Sequence, residues 1–119
     1  MDFILYDSKG RPTAYSEDGE HMFLFSGAAV AYLRERSVYS YSGRHLGRFE
    51  AGWMRDNSGH CAFFTDDAAS GGPVRPAKTA KPAKSAKTAK PAKMARSAAV
   101  QPARQSAWSE LSGEHFFEQ

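Results

Sequence analysis

Apolar and glycine positions in the first 67 residues recur with a nearly constant spacing. Four glycines lie 17, 16 and 16 residues apart, at Gly10, Gly27, Gly43 and Gly59. The residue five positions before each glycine is always apolar: Leu5, Met22, Val38 and Met54. The residue five positions after is aromatic in three copies and arginine in the other: Tyr15, Tyr32, Arg48 and Phe64. This regularity predicts four tandem copies of one structural unit within residues 1–67.

Each copy has the pattern of two short β-strands joined by a tight turn. Residues rich in Phe, Tyr, Val and Thr flank a glycine at the point where a hairpin needs a positive φ. Eight short strands leave no room for the crossovers that parallel sheets require. Because a single hairpin is only marginally stable, the copies must bury their apolar faces together. The pattern predicts an all-β fold of four β-hairpins in a pseudo-four-fold closed meander, like a small propeller. A meandering sheet with accidental spacing is the alternative.

The four copies together resemble a known family. The segments that carry the resemblance are residues 3–15, 23–33, 38–49 and 53–64. Over residues 1 to about 66 they look like the bacterial four-fold β-flower proteins. The resemblance implies a four-petal β fold without an established biochemical activity, and it carries over no functional residue. Arg48 and Arg55 depart from the pattern because the other copies offer aromatic residues there, so two petals are expected to present a different surface.

Residues 68–106 have the composition of a disordered linker. Lysine recurs at every third position from Lys78 to Lys93, in a background of Ala, Pro, Ser and Thr. A three-residue period matches polyproline II, and the scarcity of large apolar residues predicts that burial cannot offset the entropy of ordering. Residues 70–107 contain nine basic and no acidic side chains, whereas residues 1–69 contain seven basic and ten acidic ones. The chain therefore predicts an acidic head, domain 1–67, followed by a basic linker.

The basic linker allows a nucleic-acid hypothesis. Its evenly spaced cations are typical of segments that bind phosphate backbones without sequence preference, and the alternative is a solvated spacer. The candidate residues are Lys78, Lys81, Lys84, Lys87, Lys90 and Lys93.

The last segment, residues 107–119, concentrates apolar side chains that a mere tail rarely keeps. We call it the C-terminal peptide. Its candidate partner-binding residues are Trp108, Leu111, Phe116 and Phe117. The linker is long enough to allow the peptide to return to its own head. Its length therefore does not decide whether the peptide docks on its own head in cis, on another copy in trans, or on a separate protein partner.

Catalytic chemistry is not predicted, and neither is a metal site or a cofactor. His60 and Cys61 are adjacent, so in a strand they point to opposite faces and cannot form a nucleophile and base pair. Ligand binding on the pseudo-four-fold axis is a possibility through Tyr6, Phe23, Tyr39 and Arg55, with simple core packing as its competitor.

A single cysteine, the lack of a recognisable export signal and the lack of a membrane-spanning run lead us to expect a cytoplasmic protein. The leading hypothesis is a non-enzymatic protein-interaction module with a cationic tether and a docking peptide. The alternatives are a nucleic-acid-associated protein and the axial ligand site.

Overall fold

The computed structural model describes residues 2–119 and contains a closed barrel of eight antiparallel strands. The strands are β1 (Phe3–Tyr6), β2 (Pro12–Ser16), β3 (His21–Leu24), β4 (Ala29–Arg34), β5 (Ser37–Tyr39), β6 (His45–Glu50), β7 (Trp53–Asp56) and β8 (Cys61–Phe64). Each strand pairs with the next along the chain, and β8 returns to β1 through Phe64 and Tyr6. This arrangement confirms the predicted closed meander. A short 3₁₀ helix, Glu114–Glu118, follows near the C-terminus; within residues 2–119 no helix is long and apolar enough to cross a membrane.

Four hairpins with a glycine turn form the petals, numbered 1 to 4 in chain order. In petal 1 the amide of Gly10 donates to the carbonyl of Asp7 at 2.9 Å, and Gly10 has φ +78°. The ladder shifts register after the turn, which is the geometry of a tight turn followed by a bulge with a left-handed residue. The same turn recurs at Gly27, Gly43 and Gly59. The predicted role of the spaced glycines is therefore confirmed.

Each side of every petal turns one residue toward the barrel interior. The residues five positions before the glycines, Leu5, Met22, Val38 and Met54, are fully buried. Alternation along the returning strands turns a second inner set toward them, which consists of Ala14, Ala31, Gly47 and Phe63. An eight-stranded barrel is just wide enough for side chains, so its interior is a packed core rather than a channel.

The C-terminal peptide completes this core. Phe116 is fully buried and meets Phe63 edge to face, with ring centroids 5.4 Å apart. A Cβ at Gly47 would overlap the Arg55 carbonyl oxygen and would also lie 3.0 Å from the Phe116 ring, so the missing side chain of petal 3 leaves room for both. Main-chain hydrogen bonds fix the approach, because Cys61 donates to Ala107 at 3.0 Å and Ser109 donates to Cys61 at 2.7 Å.

Residues 75–105 encircle the barrel between its last strand and the C-terminal peptide, and we call them the belt. The belt has no helix or strand, as its composition predicts, but it does not run free: it makes backbone hydrogen bonds to all four petals. This path differs from the disordered linker expected over residues 68–106. The entropy argument considered apolar burial alone and did not include the carbonyl groups that the four turns offer to a passing chain.

Candidate functional site

The belt is bound at each petal by the same contact. Thr79 donates its amide to the carbonyl of Gly10 at 2.9 Å, and Thr88 does the same to Gly27 at 2.8 Å. Ser97 and Gln105 repeat the bond at Gly43 and Gly59, at 2.8 and 3.0 Å. A side chain on any of these glycines would overlap the carbonyl group of a belt alanine, namely Ala77, Ala86, Ala95 or Ala103. The petal glycines therefore serve two purposes, a left-handed turn and a close approach of a second backbone.

A second backbone bond at petals 2 and 3 shows why proline sits where it does. Ser85 donates to Phe25 and Met94 donates to Tyr41, both at 2.9 Å. The equivalent belt positions at petals 1 and 4 are Pro76 and Pro102. Proline has no N–H, so these two petals keep only the bond at the glycine.

Four cross-strand pairs lie beneath the belt, one at each junction between neighbouring petals, and we call them the outer pairs. Three are aromatic and one is a pair of arginines: Tyr6–Phe64, Tyr15–Phe23, Tyr32–Tyr39 and Arg48–Arg55. The three aromatic pairs have ring centroids 5.4–6.1 Å apart with tilts of 25–28°. The two departures noted in the sequence therefore meet at a single junction, between petals 3 and 4.

Belt cations cover the aromatic pairs. The Lys78 ammonium lies 5.2 Å from the Tyr6 ring, the Lys84 ammonium 4.4 Å from Tyr15, and the Lys93 ammonium 4.6 Å from Tyr32. Such geometry contributes roughly 0.5–1 kcal/mol per contact at exposed sites.

Carboxylates of the head form ion pairs with belt lysines. Lys78 pairs with Asp66, Lys84 and Lys87 pair with Glu17, and Lys93 pairs with Glu20. The Lys87 and Lys84 ammonium groups lower the pKa of Glu17, and Lys93 lowers that of Glu20. The opposite charges of head and belt thus meet within one chain.

The proposed axial ligand set does not reach the axis. Its four members, Tyr6, Phe23, Tyr39 and Arg55, each belong to an outer pair and face the belt. The physical reason is the strand period of two, because the residue next to each of them fills the core. The four-fold equivalence detected in the sequence is real, but it applies to the outside of the barrel.

The arginine junction has a different chemistry from the other three. Arg55 donates to the carbonyls of Gly59 at 2.9 Å and Gln105, while Arg48 donates through Nη2 to the carbonyl of Ala99 at 2.9 Å. Arg48 Nη1 is buried and has no hydrogen-bond partner within residues 2–119. Glu50 pairs with Arg104 of the belt rather than with either of these arginines.

An open cleft of about 520 Å³ adjoins this junction. Arg36, Arg55 and Arg104 reach its wall, together with Glu50 and the aromatic residues Phe49 and Trp53. A separate space of about 10 Å³ lies between Arg48, Arg55 and Arg104, which is room for about one water molecule. We call the two spaces together the arginine cleft.

The four partner-binding candidates all pack on the barrel of their own chain. Phe116 and Phe117 lie against Phe63, and Leu111 joins the same core cluster. Trp108 lies against the rings of Trp53 and Phe64, with centroids 5.9 and 6.1 Å away. The structure therefore brings the four candidates together in the cis arrangement.

Residues 4–117 match the family described as 4-fold beta flower protein. This chain belongs to the 4-fold beta flower family. No curated protein and no solved structure is similar enough to the chain to register as a match. The matched range runs beyond the resemblance noted over residues 1 to about 66, and it includes the belt and nearly all of the C-terminal peptide.

The nucleic-acid candidates of this β-flower fall into two groups. Lys78, Lys84, Lys87 and Lys93 are paired with head carboxylates. Lys81 and Lys90 are exposed and have no ion-pair partner within residues 2–119. The structure therefore leaves the second group free to meet an external anion.

The side chains with catalytic potential in the β-flower have structural partners. His45 contacts Asn57 Oδ1 at 2.6 Å and Ser37 Oγ at 3.1 Å, and burial lowers its pKa. Burial raises the pKa of the Cys61 thiol, which favours its protonated form. Within residues 2–119, no cluster of His, Cys, Asp and Glu has the size of a metal site.

Sequence reasoning missed the belt anchors of the β-flower, although the signal was present. The triplets Ala77-Lys78-Thr79, Ala86-Lys87-Thr88 and Ala95-Arg96-Ser97 are each nine residues apart, with Ala103-Arg104-Gln105 following after eight. Attention to lysine alone gives a period of three. The triplets advance by nine residues over their first three copies, so nine belt residues pass each petal.

Proposed function

We propose that this protein is a non-enzymatic interaction module whose C-terminal peptide is a docking peptide with its receptor on the barrel of its own chain. The single observation that supports this most directly is the complete burial of Phe116 beside Gly47 and Phe63. A peptide that carries its anchor residue into a matched space is a specific ligand of that space.

The belt acts as a tether that raises the local concentration of the peptide. A connection of this length holds a ligand near its receptor at millimolar order, so even a weak site is occupied in cis. The sheet closes between β8 and β1 and takes none of its eight strands from the tail. Exchange of the peptide between two copies would therefore leave each sheet intact and link the chains, which is the second form of the same interaction.

The buried and satisfied histidine and cysteine side chains support a non-catalytic role. A nucleophile needs an adjacent base and access to substrate, whereas Cys61 is fully buried and the side chain of its neighbour His60 is partly exposed to solvent.

Contact with nucleic acid through the belt is the second candidate function. The observation in its favour is the pair of exposed, unmatched lysines, Lys81 and Lys90. They supply few phosphate contacts compared with the nine basic residues of the segment, so we expect this binding to be weak.

The test of the docking proposal uses a fluorescent synthetic peptide of residues 107–119 added to the full chain or to its Phe116→Ala variant. We expect no rise in anisotropy with the natural chain, because its receptor is already occupied. We expect saturable binding to the variant, whose own peptide has lost its anchor. A synthetic peptide that itself carries Phe116→Ala is the control and should bind neither chain.

Two results would contradict the proposal. Equal binding of the labelled peptide to both chains would mean that it uses a surface other than its cis position. A lack of binding to the Phe116→Ala chain, with that chain still folded by circular dichroism, would mean that the barrel is not a receptor. Chain exchange would be seen separately, as a dimer in light scattering that forms on concentration.

A further inference from the structure

We infer that the arginine cleft is a binding site for the dianionic phosphate group of a small phosphate monoester. This inference goes beyond the proposed function, and of the C-terminal peptide it uses only the bond from Ser109 to Asp56. It begins with an exception to four-fold symmetry, because Arg48 and Arg55 are directly opposed across β6 and β7 where the other three junctions have aromatic pairs.

A like-charged cross-strand pair is unfavourable unless something compensates its charge. The two guanidinium groups donate to two belt carbonyls, of Ala99 and Gln105, and to the carbonyl of Gly59 in petal 4, and none of these carries a full negative charge. Glu50, a carboxylate that lines the same space, is engaged by Arg104 and Gln101 of the belt. The positive charge of the pair is therefore left without an ionic partner among residues 2–119.

The unmatched Nη1 of Arg48 points to the same conclusion. Two tyrosine hydroxyls, of Tyr15 and Tyr41, are also buried without a partner, but these are neutral groups. A buried donor on a charged group costs more to leave unpaired. A water in the 10 Å³ space could accept one hydrogen bond from it without supplying charge.

The charge of the site selects the chemical class of the ligand. Four arginines, Arg36, Arg48, Arg55 and Arg104, line the cleft against two carboxylates, Glu50 and Asp56. Asp56 is engaged by Ser109 and by the amides of Ser58 and His60. The excess of two positive charges matches a phosphate dianion better than a carboxylate, and planar guanidinium groups bind phosphate through paired hydrogen bonds.

The cleft also has room for the remainder of a small ligand. Its 520 Å³ lies within the range of small-molecule sites, and Phe49 and Trp53 provide apolar wall beside the arginines. Glu50, Arg55 and Arg104 line both the cleft and the 10 Å³ space. The Arg104 side chain is 61% exposed, so its movement toward an anion would join the two spaces and bring Arg48 within reach.

The test is a titration of the full chain with phenyl phosphate, followed by calorimetry and by the arginine Nε–H resonances in NMR spectra. We expect saturable binding that weakens with added salt, and shifts of the Arg48 and Arg55 resonances. Benzoate, with the same ring and one negative charge, should bind about tenfold more weakly. Saturation by inorganic phosphate with the same resonance shifts would support the site and assign the phosphate ion itself as sufficient.

Three substitutions make the test specific, two at exposed belt arginines and one at Glu50, whose carboxylate holds Arg104. Arg104→Gln should weaken phenyl phosphate about tenfold, whereas Arg96→Gln, at the equivalent belt position of petal 3, should change affinity less than about twofold. Glu50→Gln should tighten binding, because it frees Arg104 and removes a negative charge. A variant that merely unfolds cannot bind more tightly. Absence of saturable binding, equal losses in the two arginine variants, or weaker binding by Glu50→Gln would overturn the inference.

Discussion

Replacement of Phe116 by alanine tests how far the C-terminal peptide belongs to the barrel core. The side chain is fully buried, and its ring meets Phe63 and Phe117 edge to face at 5.4 and 5.3 Å. Truncation of a buried phenylalanine costs about 3–5 kcal/mol, through lost burial and the cavity that remains. The barrel can close only partly around the space beside Gly47, so we expect a loss of about 3 kcal/mol in the free energy of unfolding.

Detachment of the C-terminal peptide sets an upper limit to this loss of stability. If the cavity costs more than docking contributes, the peptide detaches and the barrel stays folded. Urea unfolding gives the total loss, and hydrogen exchange distinguishes the two responses. Detachment would expose the amide of Ser109, which now donates to Cys61, while the strand amides keep their protection.

Phe117→Ala is the matched control for this substitution. Phe117 is half-buried and stacks on Phe63 at 5.6 Å, so its removal should cost about 1 kcal/mol. The reasoning fails if Phe116→Ala costs less than about 1 kcal/mol, or if the two variants are equally destabilised.

Three further predictions follow from the belt and the barrel. Gly27→Ala should release the belt and destabilise the chain by at least ~1 kcal/mol more than Gly71→Ala. Both glycines have positive φ, but of the two only Gly27 faces a belt carbonyl. Urea unfolding of both variants checks this, and equal losses of stability would contradict it. Duplex DNA binding should have a logarithmic salt slope of about −2 if only the two unmatched lysines take part, against about −8 for release of all nine belt-region cations; fluorescence titrations at several salt concentrations decide between them. Burial lowers the pKa of His45, so the neutral imidazole contributes stability at pH values above its usual pKa. That stability is lost as the pH falls through the pKa of the folded protein. His45→Gln should remove this part of the acid sensitivity in urea unfolding, and an unchanged dependence of stability on pH would refute the prediction.

The repeat architecture could be predicted from the sequence because it rests on local rules. Glycine at a left-handed turn and an apolar residue five positions earlier are short-range requirements, and both recur in every copy. The same rules assign the two faces of each strand. The axial proposal for Tyr6 and its equivalents did not apply this alternation to the residues that follow the inner ones. Leu5 is the inner residue and Tyr6 is therefore an outer one.

The belt and the arginine cleft depend on contacts between distant parts of the chain, which no local rule supplies. The bond from Thr79 to Gly10 spans 69 residues, and the composition of the belt alone is that of a spacer. Arg48 and Arg55 were recognised as exceptions, but their pairing required the register of β6 on β7. The role of Gly47 likewise follows only from its contact with Phe116 of the C-terminal peptide.

The regular anchoring of the belt restricts how its length can change during evolution. Most extended connections accept insertions and deletions of any size, because nothing along them must coincide with anything else. Here successive anchors advance by nine, nine and eight residues while the petals stay fixed. Removal of three residues ahead of the second anchor would preserve the rhythm of lysines and alanines, yet it would place Pro91, which has no N–H, where Thr88 now donates to Gly27. Substitutions at the lysines should thus be far better tolerated than such a change of spacing between the anchors.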